Sequence, residues 1–249
     1  SGLGRSISRV LARDYGANLV LAARREERLV SLADILQSEY GVETAVCQID
    51  LRHQADVERL IRESTSGRSV RGVILNAGVT YYGRHCDIEN ELSDTIITTN
   101  LASTVTLTQH FARYFQQQPH GGRLLLVSSL AGFLPLPYQA LYGASKAFVT
   151  SFGQALREEI RGTNVSITIL APGGLATEML DYSGLDRRFN RNGVWVMSAD
   201  RCAKLAVRAF VRRRSLAIPG FLNKLTYGLI RVVPRPLITR MAALLYRVP

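Results

Sequence analysis

Short apolar runs alternate along this chain with longer stretches whose apolar positions recur at helical spacing. Asn18 to Ala23, Thr44 to Ile49, Val70 to Leu75, Arg123 to Val127 and Val165 to Leu170 are the short runs. Near-continuous apolarity over so few residues predicts strands buried on both faces. Between the first two, Glu26 to Glu39 places Leu29, Leu32, Ala33, Ile35 and Leu36 on one side of a helix. Ser6–Tyr15, Ala55–Glu63, Leu92–Gln117, Leu141–Ile160 and Ala199–Arg212 read as further helices. Such alternation implies right-handed βαβ crossovers. The predicted fold class is α/β: a doubly wound parallel sheet with helices on both faces, of Rossmann type.

After Pro219 the alternation stops. Residues 1–218 are therefore expected to form one domain and residues 219–249 a basic helical C-terminal appendage. In this architecture a glycine-rich turn follows the first strand. Here Ser1-Gly2-Leu3-Gly4 feeds a helix with no strand before it. The expectation is a chain lacking its first strand, with the middle of its sheet interrupted.

A composition of 47% hydrophobic and 20% charged residues excludes disorder and fibrous folds. Cys47, Cys86 and Cys202 are odd in number and widely spaced, which suits a reducing compartment, and a cytoplasmic location is expected. The histidines form no ligand pattern, and no metal is expected. The uncharged run Leu124–Ser145 is long enough to span a bilayer. Gly132, Pro135, Pro137 and Gly143 interrupt it, so it reads as strand, loop and helix start.

Charge adds one feature. The net charge is +11, and residues 201–249 contain arginines and lysines but no Asp or Glu. A tail mixing bulky apolar residues with arginine suits an interfacial helix on an anionic membrane surface. The competing reading packs its apolar face onto the body or a partner subunit. Nucleic acid is not expected as a partner, since no recognition motif accompanies the charge.

The most informative segment is Tyr142-Gly143-Ala144-Ser145-Lys146. Residues four apart share a helix face. A lysine ammonium beside a phenol favours phenolate, so Lys146 is expected to lower the Tyr142 pKa and suit it to proton exchange with an alcohol or carbonyl oxygen. Ser128-Ser129 ends an apolar strand, where sites form in this architecture. Asn100 is a poor helix former inside a helical stretch, which invites either a site role or a packing one.

Together these residues resemble the short-chain dehydrogenase/reductase family, over nearly the whole chain to about residue 212. Ser1-Gly2-Leu3-Gly4 is similar to the end of the family's glycine-rich turn, and Asp50-Leu51 stands where the family contacts adenine. Asn76-Ala77-Gly78 resembles its N-A-G motif. Asn100, Ser129, Tyr142 and Lys146 match its catalytic tetrad, Ser129 having the family's spacing to the tyrosine. Pro172-Gly173-Gly174-Leu175-Ala176-Thr177 resembles its segment beside the nicotinamide.

The resemblance implies roles. Tyr142 would be the general acid or base, and Lys146 would depress its pKa and hold the ribose hydroxyls. Ser129 would orient the substrate oxygen, and Asn100 would keep a proton-relay water in place. Gly2 and Gly4 would admit the pyrophosphate at a helix N-terminus. Hydride chemistry would belong to the nicotinamide. Homodimers or homotetramers through helices 92–117 and 141–160 are expected on the same ground.

Cofactor choice follows from charge. NAD users place a carboxylate at the end of the second strand of the motif. Here that place reads Ala23-Arg24, and a guanidinium suits a 2′-phosphate, so NADP(H) is the expected cofactor. Leu134, Leu136, Tyr138, Met179, Leu180, Tyr182, Leu185, Phe189, Trp195 and Val196 suggest a pocket for a lipophilic small-molecule substrate. Arg187, Arg188 and Arg191 read as solvent-facing charges over it, the alternative being contact with an acidic group on the substrate. Two other classes stay open: a non-catalytic binding or regulatory protein on the same fold, and a membrane-surface or assembly module working through its tail. No site motif lies in the tail, so its removal is expected to leave reaction on a small soluble carbonyl unchanged.

Overall fold

The computed structural model describes residues 2–185, 193 and 195–247, and strand and helix alternate through it. Helix α1 (Gly2–Tyr15) is followed by β1 (Leu19–Ala23), α2 (Glu26–Tyr40), β2 (Thr44–Gln48), α3 (Gln54–Thr65) and β3 (Gly72–Leu75). Helix α4 (Asn90–Ile97) runs through a π-helical turn, Thr98–Ala102, into α5 (Ser103–Gln117). Next come β4 (Gly122–Val127), a 3-10 turn at Leu130–Phe133, α6 (Ala140–Glu159) and β5 (Val165–Leu170). The chain continues as β6 (Gly174–Ala176), α7 (Glu178–Tyr182), β7 (Val196–Ser198), α8 (Ala199–Val211), β8 (Leu216–Ala217), α9 (Phe221–Val232) and α10 (Arg235–Tyr246).

Every strand pair is parallel, in the orders β1-β2, β3-β4-β5-β8 and β6-β7. The sheet is thus interrupted between β1 and β3, where the sequence leads one to expect it; both strands line one cavity.

Strand β4 shows why the fold is doubly wound. Leu124 and Leu126 pack with Val57 of α3, Phe111 and Phe115 of α5 and Val149 of α6. Leu125 and Val127 face the other way, against Leu3, Ile7 and Val10 of α1 and Ala203, Val207 and Phe210 of α8. Successive side chains of a strand point to opposite faces, so an unbroken apolar strand feeds two cores. Leu124, Leu125 and Leu126 are wholly inaccessible, and burial of each contributes about 1.5–3 kcal/mol. A third cluster seats Leu29, Leu32 and Leu36 of α2 near Leu21 of β1.

Three boundaries differ from expectation. Helix α1 begins at Gly2, not Ser6, because Gly2 takes the left-handed turn itself at φ +55°. The stretch 92–117 is not one regular α-helix: an extra residue per turn at Thr98–Ala102 separates α4 from α5. The tail forms two helices, α9 and α10, that lie against the body. Phe133 and Tyr227 meet edge to face at 4.8 Å, and the Tyr82 hydroxyl donates to the Tyr246 carbonyl at 3.0 Å.

Candidate active site

Residues far apart in sequence converge at the carboxyl ends of β3, β4 and β5. Ser128 and Ser129 leave β4 pointing opposite ways. Ser128 is buried, its Oγ donating to the Lys146 carbonyl at 2.8 Å and lying 2.7 Å from Thr150 Oγ1. It fastens β4 to α6. Ser129 turns outward near Tyr142; its Oγ donates to the Pro172 carbonyl at 3.4 Å and accepts from the Ala131 N–H at 3.1 Å. Strand alternation therefore sends Ser128 into the packing and leaves Ser129 on the cavity side.

Helix α6 carries both Tyr142 and Lys146 in its first turns. Lys146 is 4% exposed; its Nζ donates to the Val127 carbonyl at 2.9 Å and stands 5.8 Å from the Tyr142 ring centroid. Gly132 makes this packing tight: a Cβ there would lie 2.6 Å from the Lys146 carbonyl oxygen. Asn100 sits in the π-helical turn and is 1% exposed. Its Nδ2 donates to the Val79 carbonyl at 2.9 Å and to Ser145 Oγ at 3.0 Å, and its Oδ1 accepts from the Val79 N–H at 2.8 Å. Both donors of the amide are engaged, so Asn100 clamps the Asn76-Ala77-Gly78 loop to α6.

The electrostatics correct one expectation. Burial pushes the Tyr142 phenol above its ordinary value, and it is the Ser129 hydrogen bond that pulls it down. Lys146 does not supply the lowering here, because its ammonium is bonded to Val127 and lies over the ring, not at the hydroxyl. Burial in turn depresses Lys146 to about 8. An unfolded lysine titrates near 10.4, so stability rises with pH between about 8 and 10.4 as the unfolded chain binds the extra proton. At neutral pH the buried charge opposes folding by about 3 kcal/mol. Lys146→Met is accordingly expected to raise stability at neutral pH by about 1–2 kcal/mol after loss of the Val127 hydrogen bond, or several degrees in Tm. Thermal melts at neutral and alkaline pH check this: the gain shrinks as pH rises, and an unchanged or lower Tm at neutral pH contradicts it.

Beside these groups lies a cradle of small residues. A Cβ on Gly4 would stand 2.9 Å from Asn76 Nδ2, and one on Gly2 would stand 3.1 Å from Thr177. A Cβ on Gly78 would approach Lys146 Nζ at 3.2 Å. Gly2, Leu3, Gly4, Asn76, Ala77, Gly78, Pro172, Gly173 and Thr177 line one continuous cavity with Ser129, Tyr142 and Lys146. Ser1 lies outside the described residues. The first turn of α1, Gly2 to Arg5, lines this region, and a helix N-terminus offers N–H groups suited to an anion. These residues fit a nicotinamide dinucleotide.

At the far end of the cradle, Asp50 and Leu51 line the cavity, and the Asp50 carboxylate is bound by Arg52 Nη2 at 2.8 Å, which holds it below the usual carboxylate range. Arg24 follows the last residue of β1, is exposed, and makes no ion pair among the described residues. Its neighbour Arg25 and also Arg28 bind Glu178, at 3.2 and 2.6 Å. That carboxylate ties α2 to α7 across the cleft.

The substrate end is apolar. Leu134, Leu136, Met179, Leu180, Tyr182, Leu185, Trp195 and Val196 line it, while Tyr138 does not. Phe189, Arg187, Arg188 and Arg191 lie outside the described residues. The tail completes the wall with Thr226, Leu229, Ile230, Ile238, Met241 and Tyr246. Burial, with Tyr142 and Tyr82 nearby, pushes the Tyr246 phenol up to about 12. The cavity measures about 2450 Å³ because cleft, substrate end and the space between β1 and β3 are continuous.

Sequence reasoning missed Asn223, Gln139, Glu178 and Tyr246. Asn223 is buried, donates to the Pro219 carbonyl at 2.6 Å and packs on Gly173 so closely that a side chain there would collide with it. Gln139 is buried and donates to Thr80 Oγ1 at 3.1 Å. Glu178 had a legible signal, being the acid directly after the Thr177 motif. The tail residues had none, since only folding brings them beside Tyr142.

A family model described as short chain dehydrogenase matches residues 1–188. Sulfoacetaldehyde reductase 2 of Chromohalobacter salexigens is 37% identical over 181 residues, covering 72% of this chain and 70% of that protein. The 17-beta-hydroxysteroid dehydrogenase type 3 of Mus musculus is 31% identical over 183 residues, covering 73% of this chain and 59% of its own length. Among solved structures, a short-chain dehydrogenase from Sphingobium yanoikuyae in complex with NADPH superposes with a TM-score of 0.81 at 28% identity, covering 94% of this chain and 93% of that one.

Proposed function

Because this chain belongs to the short-chain dehydrogenase family, we propose that it is an oxidoreductase acting with NADP(H) on a lipophilic alcohol or carbonyl compound. The observation that carries this reading is the Ser129–Tyr142 hydroxyl pair, which lies between the glycine cradle and an apolar cavity wall. A nicotinamide bound in the cradle would give or take the hydride. Tyr142 Oη then gives a proton to the carbonyl oxygen in reduction, or takes it from the alcohol in oxidation. Its raised pKa keeps the phenol protonated through neutral pH, the form that reduction needs. Ser129 Oγ donates to the same substrate oxygen. Lys146 holds ammonium charge beneath the phenol, and it would meet the ribose hydroxyls. Asn100 keeps the loop that carries Gly78 in register with α6.

Two further observations support the finer terms. Arg24 offers a planar fork of donors at the β1 terminus, while two acids lining the same cavity are engaged, Asp50 by Arg52 and Glu178 by Arg25 and Arg28. Leu134, Leu136, Met179, Leu180, Leu185 and Val196 give the cavity an apolar wall, and Glu178 among them is paired with Arg25 and Arg28, which suits a lipophilic compound better than a small sulfonate. The mouse relative is named for a hydroxysteroid, a substrate of that kind.

The test is NADPH consumption across a panel of bulky ketones and small anionic aldehydes, with Arg24→Asp beside the native protein. Losing a charge-assisted contact to the 2′-phosphate costs about 1.5–3 kcal/mol, so the ratio of kcat/KM for NADPH over NADH is expected to fall ten- to a hundredfold, as an order of magnitude. An unchanged ratio removes Arg24 from cofactor selection. No turnover with any carbonyl removes the oxidoreductase reading.

A further inference from the structure

The two C-terminal helices use one face on the protein and leave the other to solvent. On α9 the inward positions are Leu222, Asn223, Thr226, Tyr227 and Ile230, and on α10 they are Ile238, Ala242 and Tyr246. Outward, α9 shows Phe221, Leu225, Leu229 and Val232, and α10 shows Leu237, Met241, Leu244 and Leu245. Their spacing of three and four residues makes one stripe on each helix. Exposure is high where it is usually avoided: 79% for Phe221, 83% for Val232 and 70% for Leu244. Scattered apolar residues are ordinary on a surface, but two parallel-spaced stripes are not.

The polar residues among them have one sign. Lys224, Arg231, Arg235, Arg240 and Arg247 are exposed, and residues 201–249 hold no Asp or Glu. Leu229, Met241, Leu244 and Leu245 belong at once to this outer surface and to the lining of the catalytic cavity, so the stripe runs into the cavity mouth. Tyr182 and Trp195, 70% and 58% exposed, line the same cavity.

We propose that the outer face of α9 and α10 docks on an anionic lipid surface and that a lipophilic substrate passes from the bilayer through the cavity mouth to Tyr142. The second half rests on the oxidoreductase reading above; the first does not. Apolar side chains interleaved with cations and no acids are the composition of an interfacial helix. A second copy of the chain is a poorer occupant, because a two-fold contact would oppose these cations to their own copies with no carboxylate between them. None of the described helices is long and apolar enough to cross a membrane, so the contact is at the surface.

The experiment is co-sedimentation of the full-length protein with phosphatidylcholine vesicles, with and without phosphatidylglycerol, at low and high salt. Binding is expected only with the anionic lipid and is expected to weaken in salt. Two variants avoid the cavity lining: Lys224→Glu/Arg235→Glu/Arg240→Glu and Phe221→Ser/Val232→Ser. Each charge removed should lower partitioning about fivefold, so the triple variant loses about a hundredfold or more. Both variants should keep native turnover of a water-soluble ketone and lose turnover of a ketone held in vesicles. Equal sedimentation of native protein and variants overturns the docking face. A fall in oligomer mass for either variant, by analytical ultracentrifugation, assigns the face to a second copy and also overturns it. Sedimentation is scored without substrate, so a protein that turns over no carbonyl still reports on docking.

Discussion

Replacing Tyr142 with phenylalanine is expected to reduce turnover by about a hundred- to ten-thousandfold while NADPH binding stays close to native. The phenyl ring fills the same half-buried space, so α6 keeps its seat against β4 and the change is confined to one hydroxyl. In the proposed reaction that hydroxyl carries the proton to the reacting oxygen, and Ser129 alone is too weak an acid to replace it. The proposed cofactor contacts lie mostly elsewhere in the cavity, which Gly2, Gly4, Arg24, Gly78 and Lys146 also line. Stopped-flow reduction with NADPH separates the two effects: slow chemistry with an unchanged NADPH dissociation constant is expected. Near-native turnover would discard Tyr142 as the acid.

Deletion of residues 221–249 is expected to lower kcat/KM about tenfold or more, even for a small soluble carbonyl, and to lower Tm by several degrees. The sequence led to the opposite expectation, since no motif lies beyond Thr177. The structure changes it because the tail is a wall of the site. Asn223 packs on Gly173, Tyr227 meets Phe133, and Tyr246 closes the cavity near Tyr142. Removing these contacts frees the loop after β5 and admits water to the proton-transfer groups. The aromatic pair alone contributes about 0.5–1.5 kcal/mol. Activity assays and melts on the truncated protein check both numbers, and native kcat/KM on a soluble ketone would show the tail to be dispensable for the site.

Hydrophobic patterning alone specified the alternating elements and the burial of β4 and β5 on both faces. These are legible because strand and helix periods are local, and because a strand without polar positions can only be covered twice. The identity of Ser129, Tyr142 and Lys146 as a group was legible for a similar reason: their spacing is carried by one strand end and one helix. What the sequence left undecided depends on distance in space. Ser128 and Ser129 differ only in which face of β4 each presents. The direction of the Tyr142 shift depends on burial, with Ser129 pulling the other way, and neither can be read from the Tyr142–Lys146 spacing. Asn100 is a clamp because a π-helical turn aims its amide at Val79 and Ser145. The tail's two readings, body or membrane, were alternatives in sequence, where a residue has no inner or outer face. Folding gives each helix both faces, so α9 and α10 close the site with one and leave cations and apolar side chains on the other. Local periodicity writes elements into the chain, but side-chain environment is a property of packing, and only tertiary structure decides it.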